Sequence, residues 1–221
     1  MQYDRHGRIK QQLYFDENGQ PTITHNKIAG IECAYDDSGN RMELKYLDSK
    51  PGVLREYLDT YARVTYKYDT RGNVLEEAYY GANGKLKVPP RTECARFVKE
   101  YNASGRLITQ SCYGANNTPI TANPGGYVKS TYTYDANGYP VETRYLDSNN
   151  NPARVWAGLV PDGQFLTKSQ YDRFGNLIAQ EYYDKDARRV PGYTPSGKRC
   201  FRWTATYDYK GMKTSEECLQ K

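Results

Sequence analysis

Along most of the chain, apolar and polar residues alternate with a period of two. Ala62, Val64, Tyr66 and Tyr68 form one set, and Arg63, Thr65 and Lys67 form the other. The same alternation sets Val128, Tyr132 and Tyr134 against Lys129, Thr131 and Thr133, and Phe201, Trp203, Ala205 and Tyr207 against Arg202, Thr204 and Thr206. A period of two predicts strands with one buried and one wet face. Each such run ends in Tyr-Asp-x-x-Gly, which starts at Tyr3, Tyr35, Tyr68, Tyr101, Tyr134, Tyr171 and Tyr207, in steps of 32, 33, 33, 33, 37 and 36 residues. The glycine is present in all seven copies and the aspartate in six, with Asn102 in the other. Aspartate caps the N–H groups of a tight turn, and glycine supplies the positive φ that closes a hairpin with a bulge. A second strand follows, such as Asn73 to Tyr80, and then a second turn signal such as Asp16-Glu17-Asn18-Gly19 or Gly81-Ala82-Asn83-Gly84. Linkers of uneven length carry the Pro and Gly, and the longest run from Asn151 to Gln164 and from Lys185 to Arg199. No helical period of useful length appears; Val53 to Leu58 has room for a single turn of helix at most.

The repeat is the organising fact of the sequence. A lone hairpin cannot bury its apolar face, whereas stacked hairpins cover one another. The prediction is an all-β fold, an elongated twisted sheet or open spiral (a solenoid) of about seven β-hairpin repeats of 33–37 residues. Residues 1–221 read as a single repeat domain, with units starting near residues 1, 28, 60, 93, 126, 164 and 199. The first unit has only Met1 and Gln2 ahead of its tyrosine, so its leading strand is truncated. The chain is therefore expected to be cut from something longer or trimmed of a leader. An open strand at that end would permit end-to-end self-association.

Composition sharpens this picture. Leu, Ile, Val and Phe are scarce, and 23 tyrosines take their place, as suits aromatic packing on a pleated face. A mean hydropathy of −0.92 and the lack of a long apolar run exclude a transmembrane helix. The start, Met1 to Arg5, has no apolar stretch of the signal-peptide kind. With only His6 and His25, histidine-based catalysis and histidine-rich metal sites are disfavoured.

The cysteines follow the repeat. Cys94 and Cys200 lie seven residues before their motif tyrosines, and Cys112 and Cys218 lie eleven after them. On a regular hairpin these positions are diagonal neighbours on one face, and a small bulge would bring them opposite. Two disulfides, Cys94–Cys112 and Cys200–Cys218, are expected; the alternative is ordinary semi-buried thiols. Cys33 occupies a core position held by Tyr66 and Tyr132 in sister units and reads as a buried thiol. Disulfides imply an extracytoplasmic location: periplasm, cell surface or medium.

The string Tyr66-Lys67-Tyr68-Asp69-Thr70-Arg71-Gly72-Asn73 resembles the YD repeat of the bacterial RHS family, and Tyr132-Thr133-Tyr134-Asp135-Ala136-Asn137-Gly138 is similar to it. The resemblance touches every unit and implies bacterial origin, a hairpin spiral and export. In that family hairpins wind into a β-sheet shell, often within large secreted or surface-anchored toxins. The unit here is longer than the common YD repeat, and no terminal toxin-like segment is recognisable. Toxin activity is not implied.

No catalytic constellation, cofactor site or metal site stands out, and the chain is read as non-enzymatic. The repeated aspartates, Asp4, Asp36, Asp69, Asp135, Asp172 and Asp208, form either a calcium ladder or a set of turn caps; caps are favoured because they recur singly. Binding candidates are three. The outward strand positions are basic and threonine-rich, and Arg188, Arg189, Lys198, Arg199 and Arg202 concentrate charge late in the chain. Tyrosines come at the ends of the second strands, among them Tyr14, Tyr46, Tyr145 and the pairs Tyr79–Tyr80 and Tyr182–Tyr183, where one member of each pair must face outward. The irregular linkers around Trp156 and Tyr193 are the third. The expected function is that of an exported module binding a protein or surface polysaccharide through its sheet face or linkers. The alternative is a structural spacer or shell fragment of a larger bacterial surface or toxin protein. A net charge of only +5 and the expected export disfavour nucleic acid.

Overall fold

The computed structural model describes every residue except 59, 91, 93, 121–126, 154–163, 195 and 221. The described residues are all-β. Seven hairpins appear: β1–β2 (Gln2–Tyr3, Ile9–Leu13), β3–β4 (Gly30–Tyr35, Arg41–Leu47), β5–β6 (Arg63–Tyr68, Val74–Tyr80) and β7–β8 (Arg96–Tyr101, Leu107–Tyr113). They continue as β9–β10 (Lys129–Tyr134, Pro140–Leu146), β11–β12 (Leu166–Tyr171, Leu177–Tyr183) and β16–β17 (Arg202–Tyr207, Lys213–Leu219). The last linker, expected to be irregular, carries β13 (Arg189–Val190), β14 (Gly192–Tyr193) and β15 (Arg199–Cys200). Among the described residues one sheet has 15 strands in chain order, with β13 paired to β12, while β14 and β15 form a separate ribbon. Among the described residues the strand pairs are antiparallel, as hairpin connections require. The chain clusters into two compact units, residues 1–99 with 112–118, and residues 100–111 with 119–221.

The Asp-x-x-Gly turn forms as its chemistry dictates. The N–H of Asp69 donates to the Asn73 carbonyl, and Gly72, at φ 84°, donates back to the Asp69 carbonyl. Asp69 Oδ1 accepts the N–H groups of Arg71 and Asn73 at 2.9 Å, and the Asn73 side chain donates to Oδ2 at 2.8 Å. Asp36–Asn40 and Asp172–Asn176 repeat that second bond. A bulge between the motif tyrosine and the residue before it then sets the register, as at Ala34/Tyr35 and Lys67/Tyr68. The linkers open with a second turn of the same kind: Asp16, Asp147 and Asp184 each cap two N–H groups there. Val53 to Leu58 is not helical. Leu54 bridges back to Leu47 of β4 instead, and Tyr57 bridges to Tyr61 within the linker.

Two contacts join one hairpin to the next. The first lies six residues before the motif tyrosine and is made in four repeats. Ala62 donates its N–H to Tyr80 of its own hairpin and accepts from the Tyr46 N–H of the preceding one, both at 2.8 Å. Ala29, Ala95 and Phe165 make the same two bonds. Ala29, Ala62 and Ala95 are fully buried. The second contact is the motif hydroxyl. Tyr35, Tyr68, Tyr134 and Tyr207 donate to the carbonyls of Ile9, Arg41, Leu107 and Leu177, at 3.1, 3.0, 2.6 and 3.0 Å. Each acceptor is six residues past the motif tyrosine of the previous repeat. Phenylalanine would fill the ring's space but leave that carbonyl unbonded.

In the first unit, Ile28, Cys33, Leu44, Tyr46, Val64 and Tyr79 form the core, with Cys33 buried as a free thiol. Tyrosine rings carry its contacts: Tyr46 stacks on Tyr57 at 4.8 Å, and Tyr61 meets Tyr79 edge-on at 4.9 Å. In the second unit Cys200, Trp203 and Ala205 cluster with Leu177 and Tyr207 around them. Both disulfides are present, Cys94–Cys112 and Cys200–Cys218, with Cα atoms 5.4 and 5.3 Å apart. The bulge does not bring the cysteines opposite one another, as the spacing suggested. It places Trp203 opposite Cys218. Cys200 reaches the bond because the chain bends at Phe201 and turns it back across the strand.

The hydroxyl contact makes a direct prediction. Tyr68→Phe and Tyr134→Phe should each lose about 0.5–1.5 kcal/mol in denaturant unfolding. Tyr3→Phe, whose hydroxyl meets only Met1 Sδ, should be neutral. Equal effects at all three sites would refute an inter-hairpin role for the hydroxyl.

Candidate functional site

The basic sheet face is neutralised. Glu43 holds Arg63 at 3.2 Å and Lys45 at 3.0 Å, and Glu76 holds Lys67 at 2.9 Å and Arg96 at 2.8 Å. Glu181 holds Arg189 at 2.8 Å and Arg202 at 3.4 Å. Glu216 takes Lys198 at 3.2 Å together with Lys213 and Ser196, and these hydrogen bonds hold its carboxyl down at about 2. Arg188 sits 3.8 Å from Asp186. The late arginines, with Arg199 exposed on β15, are thus threaded with carboxylates and do not form a continuous positive patch. Such exposed pairs add little stability, but they cancel the field that would draw a polyanion.

The paired tyrosines divide as strand alternation requires. Tyr79 and Tyr182 are buried, at 9% and 3% exposure, so they are the core-facing members of their pairs. Their neighbours face the charged side. The Arg63 guanidinium lies 4.0 Å over the Tyr80 ring, and Lys168 lies 5.4 Å from Tyr183, whose hydroxyl donates to Glu181 at 2.5 Å. Cation–π contacts already cover these outward rings. Trp156 lies outside the described residues. Tyr193 is half-buried on β14, and its carbonyl accepts the Tyr182 hydroxyl at 2.6 Å. Gly192 makes this approach possible, because a Cβ there would run into the Tyr182 ring.

One concavity of the second unit differs from the rest of the face. It measures about 330 Å³ and is lined by strands β10, β11 and β12, by Gln164 just ahead of β11, and by Tyr193. Thr167 is its centre, paired across the sheet with Thr143 on one side and Tyr182 on the other. Ser169 pairs with Gln180 beside it. Gln164 and Thr167 are both buried, at 7% and 9% exposure, and Gln164 Nε2 donates to Thr167 Oγ1 at 2.5 Å. Burial raises the Tyr145 and Tyr182 phenols to about 12, and the Tyr182 proton is committed to the Tyr193 carbonyl. The sequence reading passed over Gln164, Thr167, Ser169 and Gln180. Aligning the repeats position by position exposes the first three, because only the sixth repeat is polar at seven, four and two residues before the motif tyrosine together, whereas Ser130 and Lys99 are single polar exceptions in the fifth and fourth repeats.

A larger concavity of about 520 Å³ lies by the first two turns, and it is ionic. Its Arg8 is bound to Asp4 at 2.6 Å and lies 4.5 Å over Tyr35. Among the described residues, no group of three or more His, Cys, Asp or Glu side chains is placed to hold a metal ion. The motif aspartates direct their oxygens to their own turns. Four of these carboxyls, Asp4, Asp36, Asp69 and Asp172, are accordingly acidic. Burial pushes Asp4 up, but the Arg8 and His6 bonds outweigh it and bring Asp4 to about 2. Side-chain bonds from Asn40, Asn73 and Asn176 lower Asp36, Asp69 and Asp172.

No protein-family profile matches the chain, and no curated protein matches it. Among solved structures, a TcdB2-TccC3-Cdc42 crystal structure aligns with 96% of this chain at 15% identity and a TM-score of 0.49, the alignment covering 9% of that chain. A Photorhabdus luminescens Tc holotoxin pore with a mutated TccC3 aligns with 94% at 15% identity and a TM-score of 0.37, covering 11% of that chain. TcdB2-TccC3 without its hypervariable C-terminal region aligns with 100% at 14% identity and a TM-score of 0.36, covering 12%. The chain spans about a tenth of the length of these structures.

The carboxyls of Asp4, Asp36, Asp69 and Asp172 set the behaviour in acid. Their folded pKa values lie below the usual value near 3.9, so the unfolded chain binds protons first. Stability from the caps is complete above about pH 4 and is lost as pH falls towards 2, the value for Asp4. Unfolding midpoints measured between pH 5 and 2 should show this descending limb. Replacing Asp4, Asp36, Asp69 and Asp172 with Asn, the residue found naturally at Asn102, should flatten it; an unchanged limb would assign it to other groups.

Proposed function

We propose that the chain is a structural module: a run of YD-type hairpins acting as a scaffold within an exported bacterial protein, with no catalytic activity of its own. One observation carries this reading. The groups that define the repeat are engaged in building it: aspartate, glycine and Asn73-type asparagines close the turn, and the tyrosine hydroxyl bonds the previous hairpin. The ionic face is internally neutralised as well. Among the described residues β1 and β17 are the outermost strands of the sheet, so they offer edges to which further strands can add. Export is supported by the two disulfides. A second reading, a module that binds a protein or polysaccharide partner, is favoured by one feature, the uncharged concavity around Thr167.

The export component is tested by mass. Chain recovered from an oxidising compartment, unfolded without reductant and alkylated, should take up one label, at Cys33. Five labels on such material would end the export reading. Removing a disulfide by Cys94→Ser with Cys112→Ser should lower stability by about 3 kcal/mol, read by denaturant unfolding.

A further inference from the structure

We infer that the concavity around Thr167 binds a short, uncharged saccharide; this rests on the second reading above and supplies its ligand class. The repeats themselves make the case. At seven, four and two residues before the motif tyrosine, the third repeat has Tyr61, Val64 and Tyr66, and the seventh has Cys200, Trp203 and Ala205, while the fourth and fifth have one polar residue each, Lys99 and Ser130. The third and seventh sets fill the sheet face with apolar mass, and Val64 and Trp203 are almost wholly buried. The sixth repeat has Gln164, Thr167 and Ser169 at those places. The loss of bulk opens the space, and the replacements line it with hydroxyl and amide groups. Burying such groups is unfavourable where apolar residues would serve, which argues for a purpose other than packing.

The lining selects the ligand. The chain is 26% charged, yet none of the residues lining this concavity is charged. On the opposite face of the same strands lie Glu142, Lys168 and Glu181, so the separation follows from strand alternation. An anionic polymer finds no cation here. An extended peptide finds no free edge, because β11 is paired on both sides, with β10 and β12. What remains are neutral donors and acceptors beside phenol rings, Tyr145, Tyr171 and Tyr193, the combination that suits a ring with hydroxyls on its rim and C–H groups on its faces. The volume, about 330 Å³, lies at the lower end of small-ligand sites.

The test uses the full chain on an array of glucose-, mannose-, galactose- and N-acetylglucosamine-based neutral oligosaccharides, with uronic-acid and sulfated oligosaccharides alongside. Hits are then titrated by calorimetry in solution. At least one neutral oligosaccharide should bind with a dissociation constant below about 1 mM. The double variant Gln164→Leu with Thr167→Val should weaken it at least tenfold. Because it removes both partners of one buried hydrogen bond, that variant should keep or raise the melting temperature. Tyr80→Ala, remote from the site, should bind as the parent does. No neutral hit, hits confined to acidic oligosaccharides, or a hit unaffected by the double variant would each overturn the inference. The cysteine labelling is independent of all three, so failure here leaves the scaffold reading standing.

Discussion

The fold depends on one backbone residue six positions before the motif tyrosine, which makes the same pair of bonds in four repeats. Its N–H closes its own hairpin and its carbonyl receives the N–H of the hairpin before. A buried peptide group left without a partner is costly, so both bonds must form together. The chain has to bend there, and the adjacent backbones come close. Alanine at positions 29, 62 and 95, each fully buried, meets that constraint. The bend also turns the preceding residue inward. That residue is Ile28 or Tyr61 in core positions, and Cys94 or Cys200 where a disulfide closes the hairpin.

Around this junction each hairpin serves two neighbours. The residue eleven past the motif tyrosine, such as Tyr46, gives its N–H to the next repeat while its carbonyl accepts from its own linker. The linkers are therefore part of the hydrogen-bond system for their first turn, and vary in length only beyond it. Tyrosine suits a sheet of this kind. Its ring supplies apolar area, as in the Tyr46–Tyr57 and Tyr61–Tyr79 contacts, and its hydroxyl satisfies a carbonyl at the sheet surface. A leucine-rich core would fill the same volume without that bond.

The same regularity makes departures from it informative. Carboxylates recur where arginines and lysines recur, and the resulting ladder leaves a face with little net field. Against that background, the sixth repeat stands apart by what it lacks, both apolar bulk and charge, around Thr167. A repeat whose core positions are polar sacrifices packing, and the tyrosines of its neighbours define the space that results.

The sequence by itself determined the strands, the seven turns, the capping role of aspartate and the partners of both disulfides, because these follow from local chemistry at a fixed spacing. It also required that one tyrosine of each pair face inward, without saying which. Tertiary structure decided that Tyr79 and Tyr182 are the buried members, since the bulge beside the motif tyrosine sets the parity of the second strand. It decided that the basic face is neutralised, because Glu43, Glu76 and Glu181 belong to strands that meet those cations only once hairpins are adjacent. It likewise brought Thr167 opposite Thr143 and Tyr182, and Ser169 opposite Gln180, with Gln164 bonded to Thr167 beside them. Those residues come from three strands, and pairing between strands, unlike alternation within one, is fixed by where the turns and bulges place the register.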